Sequence, residues 1–155
     1  MDKAQLEAFM RRAIELGRKS GIEDKAGGPF GCVIVKDGKI VAEAASLVLV
    51  TPDATAHSEV LAVRAACKRL KTHNLTGCFM FASGQPCEMC AGAAQRARIE
   101  RIYFAGPRED TIAYGYSTPG GKGRPNVPVP QEMILREEQR KVWEEFKAKV
   151  GHVGY

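Results

Sequence analysis

The sequence predicts an α/β layered domain with a mixed central sheet. Strand patterns alternate with helical ones, an Asp37-Gly38 pair joins two strands as a hairpin, and no repeat, linker or low-complexity run interrupts the alternation. The predicted order is α-β-β-α-β-α-β-loop-β-α.

The first helix covers residues 2–20, with Leu6, Phe9, Met10, Ala13 and Leu16 near one face. Gly21 and Gly27-Gly28-Pro29 break it. Phe30–Lys36 and Lys39–Ala45 are two strands, and Thr51-Pro52-Asp53 is a turn. A second helix runs from about His57 to Leu70, with Asp53 or Thr55 as its expected cap. Cys78–Ala82 is a buried strand. A third helix runs from Cys87 to about Ala97, where proline at the start suits the first turn and Gly92, Ala93 and Ala94 allow close packing. Arg101–Ala105 is a strand. Residues 106–130 are rich in Gly and Pro and read as loop. Gln131–Leu135 reads as a last strand, weakened by Pro128 and Pro130. A final helix covers about Arg136–Val150.

At 155 residues the chain is expected to form one domain with a real core. No apolar run is long enough to span a membrane, and Met1–Glu7 reads as a charged helical start rather than a signal peptide. Five cysteines without a disulfide-scaffold pattern point to a reducing, cytoplasmic setting, with Cys32, Cys67 and Cys78 as small core residues. The formal charge of +5 permits an anionic partner. The basic residues are dispersed, however, and lack interleaved aromatics, which argues against nucleic-acid binding.

The chemistry concentrates in His57-Ser58-Glu59 and Pro86-Cys87-Glu88-Met89-Cys90, whose histidine and first cysteine are thirty residues apart. One imidazole and two thiolates are three zinc ligands, leaving a tetrahedral ion one open position. The pattern H-x-E…P-C-x-x-C is the signature of zinc-dependent base deaminases. His57, Cys87 and Cys90 are the expected metal ligands, with Zn2+ as cofactor. Both ligand segments start helices, where unpaired N–H groups favour thiolate. Glu59 is the expected catalytic acid/base. Read singly the parts are weak: H-x-E is common at solvated helix starts, and C-x-x-C also occurs in redox pairs and structural zinc sites.

These residues, together with Gly28-Pro29-Phe30-Gly31, Val33–Gly38, Thr55-Ala56 and Ala91-Gly92-Ala93, resemble the cytidine deaminase superfamily. Within it the chain is similar to the branch holding guanine, cytosine and tRNA adenosine deaminases. The resemblance covers nearly the whole chain. It implies a three-layer α-β-α sandwich and hydrolytic deamination of an amino-heterocycle by a homodimer. It also implies exchange of the C-terminal segment, here about 136–155, which would bring Tyr155 to a partner's pocket; a frayed tail is the equal alternative.

Departures from the family pattern bear on the substrate. Ser46 stands where an asparagine is usual, eleven residues before His57. No acid occurs in Tyr114-Gly115-Tyr116-Ser117-Thr118, where guanine deaminases carry an acidic pair. Gln95-Arg96 replaces an aromatic pair, Ser58 an alanine and Gln85 a glutamate. The expected substrate is a free purine-like base, guanine-type or a modified or related ring; because a site that loses its polar anchors discriminates against the base they read, ordinary guanine is disfavoured against a modified purine, a pterin- or triazine-like ring, or a pyrimidine. The expected substrate contacts are Phe30, Ser46, Ser58, Gln85, Arg96, Tyr116 and Tyr155, with Tyr114 as a further wall. For Arg96 the competing role is a surface arginine, and for Phe30 a core phenylalanine. The competing functions are a tRNA adenosine deaminase, a thiol redox protein using Cys87 and Cys90, and a structural zinc domain with Cys67 or Cys78 as fourth ligand.

Overall fold

The computed structural model describes residues 1–116 and 129–151. Among the described residues five α-helices and five strands follow one another as α1 (Lys3–Arg18), β1 (Gly31–Lys36), β2 (Lys39–Ala45), α2 (Ser58–Leu70), β3 (Cys78–Gly84), α3 (Glu88–Ala97), β4 (Arg101–Gly106), α4 (Arg108–Ala113), β5 (Gln131–Met133) and α5 (Arg136–Lys149). A capping box opens α1: the Gln5 backbone N–H donates to Asp2 at 2.8 Å, and the Asp2 N–H donates to the Gln5 side chain at 3.0 Å. A π-helical turn, Lys19–Glu23, closes it. The sheet order is β2-β1-β3-β4-β5. β1 is antiparallel to both β2 and β3, and β3, β4 and β5 are parallel, so the sheet is mixed as expected.

Alternation along the strands divides the core. Val33, Val35, Phe81, Tyr103 and Ala105 pack on one face with residues of α1 and α5, including Met10, Trp143 and Phe146. Cys32, Ile34, Met80 and Ile102 face the other way, against Ala62 and Ala66 of α2 and Ala94 and Ala97 of α3. This produces the three-layer α-β-α sandwich. Each fully buried large side chain, such as Phe81 at 0% exposure, contributes about 1.5–3 kcal/mol of burial.

The Asp37-Gly38 hairpin forms with both residues at positive φ, 49° and 69°, as a type I′ turn requires. α1 lies very close to β1: a Cβ on Gly31 would meet the Gly17 nitrogen at 2.6 Å, so glycine there permits the crossing.

Three expectations are corrected. The stretch after β4 contains a short helix, α4, which Pro107 precedes and Glu109 and Asp110 open with acidic side chains. Neither Asp53 nor Thr55 caps α2; His57 occupies that position, and Asp53 instead accepts from the Thr55 N–H at 2.8 Å and its hydroxyl at 2.7 Å in a local turn. Gly92 has no neighbour within 4 Å of an added Cβ, so the close face of α3 is made by Ala94 and Ala97.

Candidate metal centre and adjoining pocket

His57 and Cys87 are the N-cap residues of α2 and α3. Neither cap side chain bonds its own helix, and both face a common point. Cys90 lies one turn into α3 and faces the same point. The Cys87 and Cys90 sulfurs are 3.5 Å apart, and His57 Nδ1 lies 3.7 Å from Cys87 Sγ and 3.5 Å from Cys90 Sγ. Zinc–sulfur bonds of ~2.3 Å and a zinc–nitrogen bond of ~2.05 Å at tetrahedral angles require separations of about 3.8 Å between sulfurs and about 3.6 Å between sulfur and nitrogen. The three residues therefore fit a zinc ion, and they form a group positioned to hold a metal.

The electrostatics agree. Contact with Cys90, and then with His57, pulls the Cys87 thiol down to about 4, while the same contact and burial push Cys90 up. The pair together retains a proton that a cation would displace. Cys78 pairs with Lys36 at the opposite end of β3 from Gly84, a distance of ~20 Å along the strand. Cys67 is ten residues along α2 from His57, ~15 Å away. Neither reaches the cluster as a fourth ligand. All five cysteines are free.

Glu59, in the first turn of α2, is 6% exposed. Cys90 Sγ donates to its Oε2 at 3.6 Å, and the buried Ser58 hydroxyl donates to the same oxygen at 2.9 Å. Burial pushes its carboxyl above the ordinary value, partly opposed by its own backbone N–H.

A cavity of about 90 Å³ adjoins the cluster, several times the ~10–15 Å³ that one water requires. His57, Ser58, Glu59 and Cys87 line one side. Phe30, Ser46, Gln85 and Tyr116 complete the walls, so the structure brings these predicted residues together. Ser46 is 2% exposed. The Phe30 ring is held edge-on to Tyr116 and Trp143, with centroids 6.5 and 6.0 Å away. Tyr116 Oη donates to the Trp143 carbonyl at 3.0 Å, and Tyr114 stacks behind Tyr116 at 5.9 Å.

Arg96 is not among them. It is exposed on α3 and absent from the cavity wall. Two residues that the sequence reading missed, Arg108 and Thr111 of α4, line the cavity instead. The available signal was their position just beyond the carboxyl end of a parallel strand, where such sheets place ligand sites. Thr118 and Tyr155 lie outside the described residues.

A profile of the cytidine and deoxycytidylate deaminase zinc-binding region matches residues 3–106. The guanine deaminase of Bacillus subtilis is 43% identical over 110 residues, covering 71% of this chain and 70% of that protein. A tRNA-specific adenosine deaminase of Aquifex aeolicus is 37% identical over 99 residues, 64% of each chain. The solved guanine deaminase of Nitrosomonas europaea superposes with a TM-score of 0.82 at 26% identity, over 92% of this chain and 84% of that one.

Proposed function

The chain belongs to the zinc-dependent cytidine and deoxycytidylate deaminase family, and from that premise we propose that it hydrolyses the amino group of a small heterocycle other than guanine. The observation that carries the reading is the Glu59 carboxylate, held between the three-ligand cluster and a ring-sized cavity. A zinc ion on His57, Cys87 and Cys90 would supply an activated water at its open position.

The protein's own residues do the remaining work. Phe30 offers a face on which the ring can stack. Glu59 takes a proton from the nucleophilic water and passes it to a ring nitrogen as the oxygen adds to the amino-bearing carbon. It then moves the second proton to the departing amine, so the C–N bond breaks, ammonia leaves and an oxo group remains. Ser58 holds the Glu59 oxygen nearest Cys90. Burial favours the protonated form that such a carrier must reach.

Charge pairing on α5 supports a small substrate over RNA. Arg136 bridges Asp110 at 2.7 Å, Arg140 meets Glu137 at 3.3 Å, and Lys149 meets Glu145 at 2.7 Å, so these cations are already neutralised. Among the described residues no helix is long and apolar enough to cross a membrane. The reading includes a single domain in a homodimer, checked by sedimentation.

The test is ammonia release by zinc-loaded protein from purines, pyrimidines, pterins and amino-triazines, with Glu59→Ala as blank. Turnover that the blank abolishes supports the reading. Silence on every ring, with salt-dependent deamination of tRNA, would replace it with the RNA alternative.

A further inference from the structure

The π-helical turn Lys19–Glu23 supplies none of the residues that line the cavity, yet it touches both segments that bring Phe30 and Ser46 to it. Ser20, Gly21 and Ile22 are consecutive and all buried. The hydroxyl of Ser20, a residue 4% exposed, donates to the Ser46 main-chain carbonyl at 2.8 Å. The Ser46 N–H in turn donates to the Phe30 carbonyl at 3.0 Å. Gly21 lies flush against the residue before Phe30: a Cβ there would come within 2.8 Å of the Pro29 Cα. Single π-turns of this kind recur at functional sites.

The same turn fastens the loop that follows Ser46. The Ser20 carbonyl accepts from the Ala26 N–H at 2.9 Å, and the Ala26 carbonyl accepts from the Leu49 and Val50 N–H groups at 3.0 and 3.1 Å. The Leu47 N–H donates to the Ala56 carbonyl at 3.1 Å, one residue before His57. Ser20 therefore meets this loop twice, directly by its side chain and through Ala26 by its main chain. Glu59 and Cys90 are placed independently, by the packing of α2 and α3. A shift of the Ser46 main chain would thus move the wall against a fixed reacting centre.

Resting on the deaminase reading, we infer that Ser20 is a positioning residue for that reaction: through the Ser46 carbonyl it sets where Ser46 and Phe30 stand relative to the metal cluster, and so how tightly the ring is held. It touches no reacting atom. Its loss acts on binding, and the chemical step stays with Glu59.

The experiment compares wild type, Ser20→Ala and Ile34→Val as zinc-loaded protein. Ile34 is fully buried on the opposite face of the sheet, so its truncation reports a structural loss away from the cavity. Amide hydrogen exchange needs no substrate. Ser20→Ala should speed exchange at Ser46, Leu47, Leu49 and Val50 by about 2- to 12-fold, the net worth of one neutral hydrogen bond, and leave β3 unchanged. Ammonia release is then measured on 2,6-diaminopurine, cytosine, pterin and melamine, and kinetics are compared on the ring that wild type turns over fastest. KM should rise by about 2- to 12-fold in Ser20→Ala with kcat within twofold, the mark of lost uniform binding. Ser20→Thr, which keeps the hydroxyl, should recover most of the KM. Unchanged exchange in residues 46–50, a KM shift that Ile34→Val reproduces, or a loss carried by kcat overturns the inference and leaves the deaminase reading intact. Wild-type silence on every ring and on tRNA is the separate failure of the deaminase reading, and it removes this inference with it.

Discussion

Gly84→Ala tests whether Phe30 forms part of the working pocket. A Cβ at position 84 would come within 2.9 Å of two carbons of the Phe30 ring. Carbon pairs rest at ~3.5–4.0 Å, so the ring must retreat by about 0.6–1.1 Å. Trp143 and Tyr116 stand at 6.0 and 6.5 Å on its other sides, which leaves the cavity as the open direction. Overpacking of this kind costs about 1–3 kcal/mol. At about 2–4 °C per kcal/mol for a domain of this size, Tm should fall by about 2–12 °C. A displacement near 1 Å of a group that orients the substrate can cost ~100-fold, so kcat/KM should fall by about 10- to 100-fold. Ile34→Val is the control. Ile34 is fully buried on the opposite face of the sheet, and its truncation costs a comparable ~0.5–1.5 kcal/mol without touching the cavity. Calorimetric melts and steady-state ammonia release give both quantities. If Gly84→Ala lowers Tm but leaves kcat/KM within twofold of the control, Phe30 is a core residue and not a wall for the substrate.

Glu59→Gln should retain one zinc per chain by atomic emission while kcat falls by about 10²- to 10⁴-fold, the usual contribution of a positioned acid/base; a fall of less than threefold refutes its role. Ser46→Asn should raise guanine turnover from a low base in the ammonia assay, and no change would sink the specificity reading of that position. Chelation of the metal should abolish turnover and make two further thiols reactive, Cys87 and Cys90, while the buried Cys32 and Cys78 stay silent in a thiol-labelling count. Asp110 has its carboxyl held below the usual range by hydrogen bonds from Arg136, so its contribution to stability is present above the unfolded value of ~3.9 and is lost as pH falls through the lower folded value. The stability gap between wild type and Asp110→Asn in urea melts should therefore be constant from pH 7 to about 5 and shrink below 4.

The sequence was most readable where one local rule decided the outcome. Asp37-Gly38 needs two positive φ values, and only a tight hairpin turn uses such a pair. The metal cluster was legible because three ligand types at fixed spacing have few other uses. α4 was missed because Gly and Pro dominate residues 106–130 as a block, although Pro107 followed by Glu109 and Asp110 is a local start signal. The expectation for Arg96 fails on helical phase. Cys90, Ala94 and Ala97 are spaced by four and three and share the buried face, whereas Arg96 is six residues from Cys90, rotated by ~240°. Arg108 could not be placed at the cavity from sequence, since that depends on which end of β4 meets Phe30 and Ser46.

The sheet register makes that meeting necessary. Gly31 pairs with Ala45, Cys32 with Ala82, and Gly84 with Gly106, so the start of β1 and the ends of β2, β3 and β4 share one edge of the sheet. Phe30, Ser46, Gln85 and Arg108 are each within two residues of those strand ends. The metal-binding residues come from elsewhere, from the first turns of α2 and α3 on one face of the sheet. Helix starts are held by their packing, Cys90 at 0% exposure and Glu59 at 6%, so the reactive geometry is fixed by the core. The remaining wall is carried by segments that leave the sheet, where a substitution disturbs few core contacts. Ser46 and Gln85 can therefore depart from the family pattern while His57, Glu59, Cys87 and Cys90 keep it. The cavity wall and the metal cluster are therefore carried by separate parts of this fold.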